Sequence, residues 1–345
     1  MLRREPISKK DAAADSRLVA LCDWISKIEP IIGTDFVPVS VDASFRRYFR
    51  LKTEHESFIV MDAPPQEDCL SFVLVAKYFE AMQLNVPHVI ESDIENGFLL
   101  LSDLGSEQYF DVLKKNPSKV DALYSDAIDA LLLMQHRGDV YKSSLPPYNS
   151  ELLRLELSLF RDWLCGVHLN LEFSDSDENK WQACCDFLID NALQQKKVFV
   201  HRDYHSRNLM VMGDNNPGIL DFQDAVVGPF TYDLVSLLKD CYIRWPTDQV
   251  RQWALYFYEK LDEAMRRQMS EQQFLTNFEL MGVQRHLKAV GIFCRLNHRD
   301  DKPIYLGNIL YTLNYVVEVT PHYPELDFIS ELITEKIIPI WDSVK

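Results

Sequence analysis

The stretch Val198-Phe199-Val200-His201-Arg202-Asp203-Tyr204-His205-Ser206-Arg207-Asn208-Leu209-Met210-Val211, followed after a Gly213-Asp214-Asn215-Asn216-Pro217-Gly218 turn by Ile219-Leu220-Asp221-Phe222-Gln223-Asp224, decides the reading of this chain. Short apolar runs bounded by turn residues are strand candidates, and here each leads into or out of polar residues. Phosphoryl transfer asks for such an inventory. A carboxylate must accept the proton of the attacking hydroxyl, and oxygen ligands must hold magnesium against nucleotide phosphates. Asp203 suits the base, and Asn208 and Asp221 suit the metal. A lone Asp in a loop is usually a cap, but several specified residue types at fixed offsets in strand–loop–strand context favour the functional reading.

Working outward, the segment lies inside a mostly helical half. Helical spacing runs through residues 117–136, 150–166, 178–195, 230–241, 247–268, 271–297, 303–319 and 326–342. Residues 138–149 read as a loop, and 173–179 as an acidic surface turn. Upstream the period changes. A helix is expected over 16–29, an antiparallel meander over 36–41, 45–52 and 57–62, a helix over 67–84, and two more strands at 88–93 and 97–102. The expected fold class is α+β, with a small antiparallel-sheet lobe over residues 1–103 and a larger, mostly helical lobe over 104–345.

Composition limits the alternatives. At 345 residues with 47% apolar and 26% charged residues, the chain can bury a core without disulfides or structural metal. The net charge of -16 opposes phosphate-backbone binding, so nucleic acid is not an expected partner. Seven scattered cysteines without a CxxC pair read as reduced thiols. Arg3, Arg4, Lys9 and Lys10 precede no apolar signal region, and no run is long enough to span a membrane. A cytoplasmic monomer is expected.

The loop and the Asp221-Phe222 site resemble those of the protein-kinase-like superfamily. Histidine at 205, and Gly228-Pro229-Phe230-Thr231-Tyr232-Asp233-Leu234 further on, are closer to its aminoglycoside and choline kinase branch. That resemblance implies ATP and Mg2+ as cofactors, makes His205 a substrate-side residue, and gives Asp233 the task of bracing the loop. It also implies a phosphate-binding hairpin at Val41–Leu51, where Ser44, Phe45 and Arg46 offer backbone N–H groups and Arg46 and Arg47 offer guanidinium charge. The hairpin has no glycine. Leu99–Gly105 resembles the hinge that binds adenine, with Ser102 and Leu104 as contacts, and reads as an edge strand. One departure stands out: related kinases place Lys or Arg near Met61, which is apolar here. Either a hairpin arginine takes over or magnesium carries more of the phosphate contact.

Asp42–Arg50, Val60–Pro65, Leu145–Tyr148 with Leu152–Leu157, and Gln284–Lys288 with Gly291–Leu296 narrow the resemblance. They are similar to bacterial kinases of the anomeric hydroxyl of N-acetylmuramate and N-acetylglucosamine, which serve cell-wall recycling. This implies a small-molecule sugar substrate, with Glu156 and Arg285 near it. Another small-molecule kinase of the aminoglycoside phosphotransferase family, and an inactive nucleotide-binding relative, remain as alternatives. Intact Asp203, Asn208 and Asp221 speak against the last.

Overall fold

A computed structural model describes residues 15–28, 37–41, 45–53 and 56–343. The chain divides into two compact units, Met1–Ser106 with Met212–Gln223, and Glu107–Val211 with Asp224–Lys345.

The first unit contains α1 (Ser16–Ile25), β1 (Val37–Val41), β2 (Arg47–Lys52), β3 (Ser57–Asp62), α2 (Cys69–Ala81), β4 (Val89–Asp93) and β5 (Phe98–Ser102). Its antiparallel sheet has the order β1-β2-β3-β5-β4. β5 is therefore an inner strand rather than the expected edge, because β3 pairs with it (Val60 opposite Leu100) and the β4 hairpin closes the outside. Alternation along a strand sends successive side chains to opposite faces. Phe49, Leu51, Val60, Phe98 and Leu100 accordingly meet the Leu18, Leu21 and Ile25 stripe of α1. Met61, Leu99 and Leu101 have the opposite parity and are also buried. Phe222 packs with tilted rings against Phe72 and Phe79 of α2, with centroids 4.8 and 5.3 Å apart.

The second unit contains α3 (Tyr109–Lys115), α4 (Val120–Arg137), α5 (Ser150–Leu159), α6 (Asp175–Gln194), β6 (Lys197–Val200), β7 (Val226–Pro229), α7 (Tyr232–Leu238), α8 (Thr247–Lys260), α9 (Glu263–Gln268), α10 (Glu271–Asp300), α11 (Ile309–Val319), α12 (Asp327–Glu331) and α13 (Ile338–Ser343). β6 and β7 pair antiparallel. α10 is buried along most of its length and packs on α5, α6, α7 and α11. At its crossing with the end of α5, a Cβ on Gly291 would stand 2.3 Å from the Leu159 carbonyl carbon, so only glycine allows that approach.

Several boundaries differ from the expected ones. The acidic turn at 173–179 is a helix start: Ser174 and Asp177 form a capping box, and acidic side chains favour the positive end of α6. The single helix expected over 247–268 breaks at Leu261–Asp262, where Asp262 caps α9 by accepting from the Met265 N–H. Residues 138–144 form a 3-10 helix inside the expected loop. The short α3, whose Gln108 N-cap makes no side-chain cap bond, had too weak a pattern to be expected. Among the described residues no helix is long and apolar enough to cross a membrane.

Candidate active site

In the second unit, β6 delivers the chain into a loop pinned by two buried carboxylates. Asp233, in the first turn of α7, accepts from the backbone N–H groups of His201 (2.6 Å) and Arg202 (2.9 Å). Asp240, just beyond α7, accepts from the Ser206 N–H (3.0 Å), the Ser206 hydroxyl (2.5 Å) and the Tyr242 N–H (2.8 Å). Arg202 has φ +77°, a left-handed conformation unfavourable for a long side chain, and the Asp233 bonds to its own N–H and to that of His201 help hold it there. The bend turns Asp203 out of the strand direction. Its N–H donates to His201 Nδ1 (3.2 Å), and its carbonyl accepts from Asn208 Nδ2 (3.0 Å). Asp203 and Asn208 thus meet as expected. The bracing expected of Asp233 is present; Asp240 was not anticipated.

Burial alone would push the Asp203 carboxyl up, but Lys288, His205, Arg202 and Arg285 together hold it below its ordinary value. The carboxylate form needed by a base is therefore favoured. His205 lies edge-on to Tyr242, centroids 5.4 Å apart, and burial lowers its pKa against the opposing pull of Asp240 and Asp203.

Glu156 and Arg285 belong to this charged cluster in different ways. Glu156, 3% exposed, is clamped: Arg202 Nη2 lies 2.5 Å and Lys288 Nζ 2.9 Å from Oε1, while the Tyr148 hydroxyl and Gln284 Nε2 donate to Oε2. Arg285 is also buried, and its Nη1 meets Cys241 Sγ at 3.7 Å. Sequence reading assigned no role to Arg202, while Lys288 falls with Gln284 and Arg285 in a polar band that reads equally as a solvated helix face or a sugar contact. Spacing offered one signal, since Lys288 stands a turn beyond Arg285 and Gln284 on the same helix.

In the first unit, Asp221 adopts φ +62° and accepts from Gln223 Nε2 at 2.8 Å. Arg46 reaches towards it, with Nη1 4.0 Å from Oδ1, while Nη2 pairs with Glu67 Oε2 at 2.7 Å. Glu67 also accepts from the Phe45 N–H (2.9 Å), so one carboxylate fixes both the backbone and the arginine of the turn. Nothing in the sequence marked Glu67, which reads as an ordinary acidic residue ahead of a helix. Its neighbours are set by folding. Arg47 and Arg50 go elsewhere: Arg47 pairs with Asp15 and Asp62, and Arg50 forms a fork on Asp103 at 2.6 and 2.9 Å. Phe45 is exposed, Met61 is fully buried, and Ser44 lies outside the described residues.

Ser102 is engaged by His88, donating its N–H to the His88 carbonyl (3.0 Å) and accepting the His88 N–H at Oγ (2.8 Å). Asp103 then makes a turn by accepting from the Gly105 N–H (2.9 Å). Among the described residues no backbone hydrogen bond occupies Leu104. Its side chain packs against Gly218, where a Cβ would come within 2.9 Å of Leu104 Cδ1.

Residues 35–271 match the model of the phosphotransferase enzyme family. The chain is 46% identical over 331 residues to the N-acetylmuramate/N-acetylglucosamine kinase of Pseudomonas aeruginosa, covering 92% of this chain and 96% of the relative. It is 46% identical over 298 residues to the kinase of that name from Pseudomonas putida, covering 86% of each. Among solved structures, the ADP-bound aminoglycoside phosphotransferase APH(2'')-Ib superposes with a TM-score of 0.59 at 15% identity, over 87% of this chain and 97% of that one. The likeness bears out the expected protein-kinase-like α+β fold. The chain is a member of the phosphotransferase enzyme family.

Proposed function

We propose that this protein transfers the γ-phosphoryl group of ATP to the anomeric hydroxyl of N-acetylmuramate and N-acetylglucosamine, yielding the sugar 1-phosphate and ADP, in cell-wall recycling. The observation that carries the chemistry is the Asp203 carboxylate, kept ionised among cations on a loop fixed by Asp233 and Asp240. The sugar follows from relatives at 46% identity that carry the name N-acetylmuramate/N-acetylglucosamine kinase.

Asp203 orients the sugar hydroxyl and takes its proton as the oxygen attacks the γ-phosphorus and the bond to the bridging oxygen of ADP breaks. An anomeric hydroxyl belongs to a hemiacetal and is more acidic than an ordinary alcohol. A carboxylate of low basicity therefore suffices, acting mainly by alignment. Asn208 and Asp221 present an amide oxygen and a carboxylate, hard donors of the kind magnesium prefers, and too few to cage the ion without phosphate oxygens and water. When bound with the nucleotide, magnesium neutralises charge on the β- and γ-phosphates. Arg46, oriented by Glu67, supplies the phosphate contact that Met61 cannot. The Leu104 backbone, which carries no hydrogen bond among the described residues, supports a hinge contact to adenine. A substrate made from recycled wall and a nucleotide made inside the cell argue for a cytoplasmic enzyme, in keeping with its unpaired cysteines.

The test is an ADP-release assay with MgATP and a panel of free amino sugars and aminoglycosides. Turnover of N-acetylmuramate or N-acetylglucosamine well above that of kanamycin is expected. Kanamycin turning over faster would assign the chain to antibiotic phosphorylation instead.

A further inference from the structure

Arg285 and Lys288 stand one turn apart on α10, and both bear electrostatically on Asp203, yet they meet different surroundings. Lys288 Nζ has the Glu156 carboxylate at 2.9 Å and the Tyr232 hydroxyl at 2.9 Å. Arg285 is only 6% exposed, and among the described residues no carboxylate oxygen lies within 4.0 Å of it. Its Nε has no hydrogen-bond partner, and Nη1 has only the sulfur of Cys241. That thiol is kept neutral by burial and is no counter-ion. The nearby Asp240 is already committed to Ser206 and Tyr242. Asp203 and Asp240 favour its charge at longer range, but among the described residues no anion pairs with the buried guanidinium directly. Its planar fork matches a carboxylate in two parallel bonds.

We propose that Arg285 binds the lactyl carboxylate of N-acetylmuramate and is the residue that favours this acidic sugar over an uncharged one. The inference rests on the acceptor proposed above. Of that sugar's groups only the lactyl carboxylate is charged, and Asp203 already claims the hydroxyl that reacts. A phosphoryl oxygen of the nucleotide has the same chemistry and is the competing occupant.

The experiment compares N-acetylmuramate with its lactamide, in which a neutral amide replaces the carboxylate, on wild-type protein and on Arg285→Gln. A charged hydrogen-bonded contact of this kind corresponds to about a 10- to 100-fold preference in kcat/KM for the acid by wild type. Arg285→Gln brings that ratio close to one, and Arg285→Lys restores part of it. Equal losses on both sugars in the variant would mean that Arg285 serves phosphate or Asp203, and would overturn the inference. So would equal use of acid and amide by wild type, a result that needs no variant to fold. If wild type phosphorylates neither N-acetylmuramate nor N-acetylglucosamine, the acceptor assignment fails and this inference falls with it.

Discussion

Replacing Glu156 by Gln removes one negative charge and almost nothing else, and the structure says what that charge holds. Its carboxylate is the partner of Arg202 and Lys288, and Tyr148 and Gln284 complete its hydrogen bonding. Those two cations hold Glu156 below its usual carboxylate range despite burial. Breaking a buried ion pair from one side costs about 3–5 kcal/mol. Arg202 keeps 20% of its side chain exposed, which softens the loss, so the lower end, about 3 kcal/mol, applies. For a unit of this size each kcal/mol moves the midpoint by about 2–4 °C, giving a fall in Tm of about 6–12 °C. Calorimetry reads the shift, and steady-state kinetics below the transition read the sugar KM. A Tm within about 2 °C of wild type with a much higher sugar KM would refute the clamp and make Glu156 a direct sugar contact.

Asp203→Asn should keep its fold and nucleotide affinity while kcat falls by about two to four orders of magnitude; a near-normal rate would remove Asp203 from the role. Lys288→Met takes away the strongest of the cations lowering Asp203's pKa, so the acid limb of kcat should move to higher pH. An unmoved limb would contradict that electrostatic account. Arg46→Ala should raise the KM for ATP more than that for sugar, since Arg46 is the hairpin arginine beside Asp221. An unchanged ATP KM would leave Arg46 as a structural partner of Glu67 alone.

What could be read from sequence was local. The loop from His201 to Asn208 has its chemistry in neighbouring residues, and short spacing largely determines which of them meet. Asp203 and Asn208 meet as expected for that reason. Arg46 and Arg47 were harder to separate. Adjacent residues at a strand start face opposite ways, and a slip of one residue exchanges their roles. Only the observed register, with Arg47 opposite Asp62, sends one arginine to Asp62 and the other to Glu67. The partners of Glu156 are set by helices far apart in sequence, so periodicity could show polar positions on α5 and α10 but not that one carboxylate would serve two cations. The position of β5 depended likewise on its long-range pairing with β3.

The proposed reaction is phosphoryl transfer to the anomeric oxygen of a free amino sugar, with Asp203 as the base. Phosphorus NMR of the product formed from N-acetylmuramate or N-acetylglucosamine and MgATP, run beside the 1-O-methyl glycosides, tests it most directly. A sugar 1-phosphate, its phosphorus coupled to the anomeric proton, is expected from the free sugars, and no product from the methyl glycosides. Phosphorylation of a methyl glycoside would show that another hydroxyl faces Asp203 and would contradict the anomeric assignment.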